Sequence, residues 1–141
     1  EFSRVLFRSA TPYCHHPGSF VTYDTQTKTL FSSDLFGSFD ARWTLMLELG
    51  EACSECRGLK KCSSNLTKCP VKGIVKFHQI IMTSNSALSS ALNTIEKLDI
   101  ERIASQHGSV ISTKEDVKTI IRHLRSIENV GIDCLLSGEV I

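Results

Sequence analysis

No apolar run in this chain approaches the roughly 18 residues that a membrane-spanning helix needs. No basic stripe is present either: 16 lysines and arginines face 15 acidic residues, the formal charge is +1, and the two signs are interleaved. A nucleic-acid partner is therefore disfavoured, because phosphate binding calls for clustered positive charge. Internal repeats and low-complexity stretches are absent as well. The first nine residues, EFSRVLFRS, lack the long apolar centre and small-residue cleavage site of a secretory signal. Their RVLFRS portion resembles a translated sequencing adapter, so residues 1–9 are expected to be a non-native leader and are left out of the fold reading. What remains is ordinary for one globular domain: 141 residues, 41% hydrophobic and 22% charged.

Six cysteines would suit a disulfide scaffold, but four of them, Cys53, Cys56, Cys62 and Cys69, fall within seventeen positions. Without a secretory signal, that clustering reads as metal binding in a reducing compartment, and a cytoplasmic location is expected. The spacing is C-x2-C-x5-C-x6-C in a segment, 52–70, that has no apolar periodicity to order it. Four thiolates can hold a zinc ion or an iron–sulfur cluster, and Lys60, Lys61 and Lys68 would ease their charge. The spacing matches no common zinc finger, so reduced cysteines in a loose insert are the competing reading. Cys14 and Cys134 read as small buried or half-buried residues.

Residues 19–24, SFVTYD, alternate apolar and polar, TQTK makes a turn, and 29–34, TLFSSD, returns as the second strand of a hairpin. DARWTLMLELGEAC is expected to be a helix with Asp40 as its N-cap. A second helix follows Gly73, with Ile74, Phe77 and Ile81 on one face, and a third carries Leu88, Leu92, Ile95 and Leu98. IERIASQHG reads as a short strand ending at His107, with Gly108 free to turn. A helix capped by Ser112 or Thr113 comes next, and the last stretch, 127–141, has no clear class. The order implies an α/β fold in which helices flank a mixed sheet.

Three groups fall where these elements end: His15 or His16 before the hairpin, Asp34 after it, and His107 after the later strand. Strand ends deliver side chains to a common mouth, and imidazole with carboxylate suits zinc or iron. A carboxylate can also bridge two cations and offset their repulsion. Two readings stay open at this level. Either these residues are metal ligands, or Asp34 caps a turn and the histidines are surface loop residues. His78 is read as helix packing or a donor to the site, His123 as facing solvent, and Phe36, Phe39 and Trp43 as core or site wall.

TPYCHHPGSFVTYDTQTKTLFSSDLFGSF resembles the second half of the metallo-β-lactamase-like domain of flavodiiron proteins and related di-iron oxygen-binding proteins. FHQIIMTSNSALSSALNTIEKLDIERIASQHGSVI resembles their later segment, and the likeness spans most of 11–111. The resemblance implies an αββα sandwich of which this chain holds the C-terminal half, residues 10–126. It implies that His15 and His107 are ligands and that Asp34 bridges two irons, with zinc as the alternative. His16 sits at a variable position of the family. The family's His-x-His/Glu-x-Asp-His stretch, which supplies most of the other ligands, is not found here. Three functions follow as expectations. The first is part of a flavodiiron-like protein binding or reducing oxygen or nitric oxide, served by an electron-transfer partner and by a missing N-terminal half. The second is a zinc hydrolase of the same fold. The third is a non-catalytic metal- or redox-sensing module. Without its other half such a chain is expected to expose a sheet edge and apolar surface, and to be inactive alone.

Overall fold

The computed structural model describes residues 5–40, 44–54, 56 and 69–138. Among them, the core is a six-stranded mixed sheet in the order β1-β2-β3-β5-β6-β4 with helices packed on one side. The central hairpin is β2 (Phe20–Asp24) and β3 (Thr29–Phe31), antiparallel with Tyr23 opposite Leu30. Its turn is held by Asp24, whose carboxylate accepts from the Gln26 N–H at 3.1 Å and the Thr27 hydroxyl at 2.9 Å. β5 (Arg102–Ala104) runs parallel to β3, which places Ile103 beside Leu30, and β6 (Val110–Ile111) turns back against β5.

Alternation along these strands sorts the sheet into two faces. Val21, Tyr23, Leu30, Ile103 and Ile111 point one way and are buried. Against them lie α2 (Pro70–Ile81), α3 (Asn85–Ile95) and α4 (Lys114–Arg125). Ile74 and Phe77 of α2, Leu88, Leu92 and Ile95 of α3, and Val117, Ile120 and Leu124 of α4 complete the core, as their helical spacing predicts. Each such side chain contributes about 1.5–3 kcal/mol when fully buried. Phe20, Phe31 and Met46 point the other way and stay exposed, so among the described residues the opposite face carries apolar side chains without a helical layer.

Helix ends follow local chemistry. Ser84 caps α3 by accepting from the Ala87 N–H, and Thr113 caps α4 by accepting from the Asp116 N–H. Proline at the first position starts α2 at Pro70, three residues before the expected Gly73, because its missing N–H costs nothing there.

The structure departs from the sequence reading in several places. The helix expected from Asp40 does not form among the described residues: Met46–Leu47 is strand β4, parallel to β6, and only Glu51–Ser54 is helical, as α1. The LMLEL run suits either period, and the ladder with β6 decides it, turning Leu47 inward and Met46 outward. Trp43 lies outside the described residues. Residues Leu6–Ala10 form β1, fully paired with β2; the strand takes in the last four residues of the 1–9 stretch set aside as a leader and the first of the expected domain. Leu6 and Phe7 are both about half exposed, so β1 is held by its backbone ladder more than by packing. In the unassigned tail, Ile132–Ser137 forms α5. His123, expected at the surface, is buried at 3% exposure against α1, because α4 is wrapped more fully than its polarity suggests. Among the described residues no helix is long and apolar enough to cross a membrane.

Candidate metal centre

The strand directions bring one set of loops to one edge of the sheet. The end of β1, the start of β2, the ends of β3 and β5 and the start of β6 all meet there. His15 lies in the β1–β2 loop, Asp34 in the turn after β3, and His107 between β5 and β6. None of the three is in a strand: β3 stops at Phe31 and β5 at Ala104, short of the ends the sequence suggests.

These three side chains meet. His15 Nδ1 lies 2.8 Å from Asp34 Oδ2, and His107 Nε2 lies 3.1 Å from Asp34 Oδ1. The carboxylate thus takes one imidazole on each of its two oxygens. Its side chain is 15% exposed, while those of His15 and His107 are 49% and 54% exposed. Adjacent His16 turns away from this arrangement, its Nδ1 accepting from the Gly18 N–H at 3.0 Å and bracing its own loop.

Several contacts build the corner. The Ser32 N–H donates to Ala104 O at 3.1 Å, Gln106 N–H to Ser33 O at 2.7 Å and Ser38 N–H to His107 O at 2.6 Å. These three bonds lace the Asp34 turn to the His107 loop. Ser33 and Phe36 have φ of 54° and 69°, so the turn is held in a conformation that side chains resist. Beneath it lies Phe77 of α2, whose ring packs against the His107 imidazole at 6.3 Å between centroids. A Cβ at Gly37 would come within 2.7 Å of that ring, so only glycine lets the turn settle this closely on the helix. The His15 loop is fixed from α3 and its approach: the Thr83 hydroxyl donates to Tyr13 O at 2.6 Å, and Cys14 Sγ to Ala87 O at 3.4 Å. Burial pushes the Cys14 thiol up to about 11, so it is an inert packing group.

His78 is the residue whose part the sequence understated. It is fully buried on α2, donates from Nδ1 to Ile74 O at 2.7 Å, and accepts at Nε2 from the Phe36 N–H at 2.9 Å. Toward the site it is an acceptor rather than a donor. Burial pulls its pKa down to about 4, so the ring is neutral. The signals in the sequence were its helical spacing from Ile74 and its place in the FHQIIM run that resembles the family. Phe36 is buried and lines a cleft of about 460 Å³ with Ser38, Thr44, Ile74, Gly108 and Ser109. None of His15, Asp34 and His107 lines that cleft, which flanks their turn on another side.

The donor set passes a simple test of fit to metal. Imidazole nitrogen and carboxylate oxygen are donors that both zinc and iron take; the two separations, 2.8 and 3.1 Å, are those of ordinary hydrogen bonds, so the fit rests on the donor types and their convergence. The arrangement suits two cations that share one carboxylate. Among the described residues no three His, Cys, Asp or Glu side chains are gathered so as to hold one metal ion. Such a bridge would carry one imidazole on each side and would need its remaining donors from elsewhere. In the cysteine segment, Cys53 lies in α1, Cys56 just beyond it, and Cys69 directly before α2, while Cys62 lies outside the described residues.

Comparison with known proteins gives the chain a family. The model described as ODP family beta lactamase matches residues 2–108. The chain belongs to the ODP beta-lactamase family. No curated relative matches the sequence. Among solved structures, the apo state of the chemotaxis sensor ODP from T. denticola aligns with a TM-score of 0.72 at 23% identity, over 97% of this chain and 52% of that one. A structure titled as the peroxy diiron species of the chemotaxis sensor ODP aligns at 0.74 and 23%, over 96% and 50%. Rubredoxin oxygen:oxidoreductase from Desulfovibrio gigas aligns at 0.66 and 16%, over 86% and 27%. These identities speak to the fold, which is that of the flavodiiron and ODP type: a mixed sheet with flanking helices, as the resemblance implied. The chain spans about half the length of the ODP structures it matches.

Proposed function

We propose that this ODP-family chain contributes His15, Asp34 and His107 to a centre of two iron ions, with Asp34 bridging, and that the centre binds oxygen or nitric oxide as a sensor does. The observation that carries this reading is the single carboxylate with an imidazole on each oxygen. Its support as iron rather than zinc comes from structural neighbours titled as di-iron proteins. A sensing role is favoured over turnover because the neighbours that cover 96% and 97% of the chain are titled chemotaxis sensors.

When bound, ferrous ions would supply the electrons and open coordination positions that a diatomic ligand requires. The chain's own residues do the rest. Asp34 brings one negative charge between two mutually repelling cations. Phe77 packs against one side of the His107 ring. The backbone lacing of the two loops holds Asp34 and His107 at fixed separation before any ion arrives. With both histidines about half exposed, the corner is open to water, and we infer that the remaining donors and a covering layer come from the rest of a longer protein. The bare apolar face with Phe20, Phe31 and Met46 is where such a layer would lie.

Anaerobic titration of the chain with ferrous iron, followed by metal analysis and visible absorption, tests this. Iron binding should vanish in Asp34→Ala and weaken at least about tenfold in His15→Ala or His107→Ala. Iron binding that survives Asp34→Ala unchanged would end the reading, and retention of zinc alone would turn it toward hydrolysis.

A further inference from the structure

We propose that His78 is a positioning residue for the metal centre: through the Phe36 N–H it holds the turn that aims Asp34 at both imidazoles. This rests on the ligand role assigned above to His15, Asp34 and His107. The partners of His78 fix its tautomer. Ile74 O can only accept and the Phe36 N–H can only donate, so Nδ1 carries the proton and Nε2 is bare. A ring of the other tautomer, or a charged one, would point an N–H at an N–H.

The bond acts on the strained part of the turn. Phe36 is two residues past Asp34, has φ of 69°, and is anchored by its buried ring as well as by this bond. Directly after Phe36, the Gly37 N–H donates back to Asp34 O at 3.0 Å and closes the turn around Phe36, so displacement of Phe36 is passed to the Asp34 backbone. The same helix turn carries Phe77, which touches His107 and underlies Gly37. Neighbouring residues of α2 therefore set both members of one contact: His78 sets the carboxylate and Phe77 the imidazole. Losing the acceptor leaves a buried N–H without a partner and frees the turn to relax.

The test uses the whole 141-residue chain with His78→Gln, which can still accept from the Phe36 N–H, and His78→Leu, which cannot. In the metal-free protein, exchange of the Phe36 amide measured by NMR should be slow in wild type and His78→Gln. In His78→Leu it should be at least about tenfold faster, while core amides of α3 and α4 stay protected. Ferrous iron affinity should fall about tenfold or more in His78→Leu and stay within about threefold of wild type in His78→Gln. If wild type takes up no iron, the ligand reading fails, and the amide exchange still decides whether His78 grips the turn. Equal losses in the two variants would make side-chain volume the cause and overturn the proposal, as would a His78→Leu protein with a protected Phe36 amide. Should His78→Leu not fold, the nitrogen shifts of His78 in wild type decide: a proton on Nδ1 is expected, and one on Nε2 overturns it.

Discussion

Two helices of this molecule each bury a histidine, and they use it differently. On α2, His78 has both ring nitrogens engaged, one with its own helix and one with the turn beside Asp34. On α4, His123 is also buried, but its Nε2 has no partner, and what bonding it has reaches the backbone of Cys53. In both, burial is the largest influence and lowers the pKa, and for His123 the nearby Arg122 charge lowers it further. The difference teaches that burial of a polar ring does not by itself signal a task. The task lies in what the far nitrogen holds, and only His78 holds a segment that carries a candidate ligand.

The most forceful way to break this contrast is to remove each ring. Replacing His78 by leucine strands the buried Phe36 N–H and should cost about 2–3 kcal/mol in a denaturant melt. A Gly37→Ala change attacks the same corner from above, where the new Cβ would sit 2.7 Å from Phe77. It should cost about 1–3 kcal/mol by overpacking and shift the His107 ring resonances. Equal tolerance of these changes and of a change at His123 would erase the distinction.

Acid sharpens it. A histidine with a lowered folded pKa favours folding above the ordinary value of 6.5, and that stability is lost as pH falls toward the folded value. For His78 the window runs from 6.5 to about 4. There the unfolded chain takes up a proton that the folded one refuses. Melts across this range should lose up to about 1.4 kcal/mol per pH unit for each such ring. His78→Gln should flatten its share of that slope, and an unchanged slope would place the titration elsewhere.

His123→Leu should change stability by less than about 1 kcal/mol, because it gives up one hydrogen bond and also removes a buried nitrogen without a partner. Smallest of all should be Asp99→Asn at the surface. Lys114 and Lys28 hold that carboxyl down at about 2, so its contribution exists above the ordinary 3.8 and is lost only as pH falls from there toward 2. The His78 and Asp99 windows do not overlap, so a melt at pH 5 should respond to replacement of His78 and not to Asp99→Asn.

Much of this was legible in the residue order, and for identifiable reasons. The hairpin was readable because TQTK separates two runs of β-formers, and α3 and α4 because apolar residues recur at helical spacing between good caps. The strand β4 was not, since LMLEL satisfies either period and only pairing with β6 selects the extended form. The burial of His123 was hidden for a like reason: the surrounding residues of α4 are charged, and only the presence of α1 shows which side is covered.

The residue order by itself determined the family, the helical stripes and the three groups that could act together, because these depend on residue type and local spacing. Whether His15, Asp34 and His107 meet was decided by the tertiary structure alone. Ninety-two positions separate the first from the last, and only the strand directions carry their loops to the same edge of the sheet. The grip of His78 on the Phe36 backbone likewise exists only once α2 packs beneath the turn, since a hydrogen bond across 42 positions has no local cause.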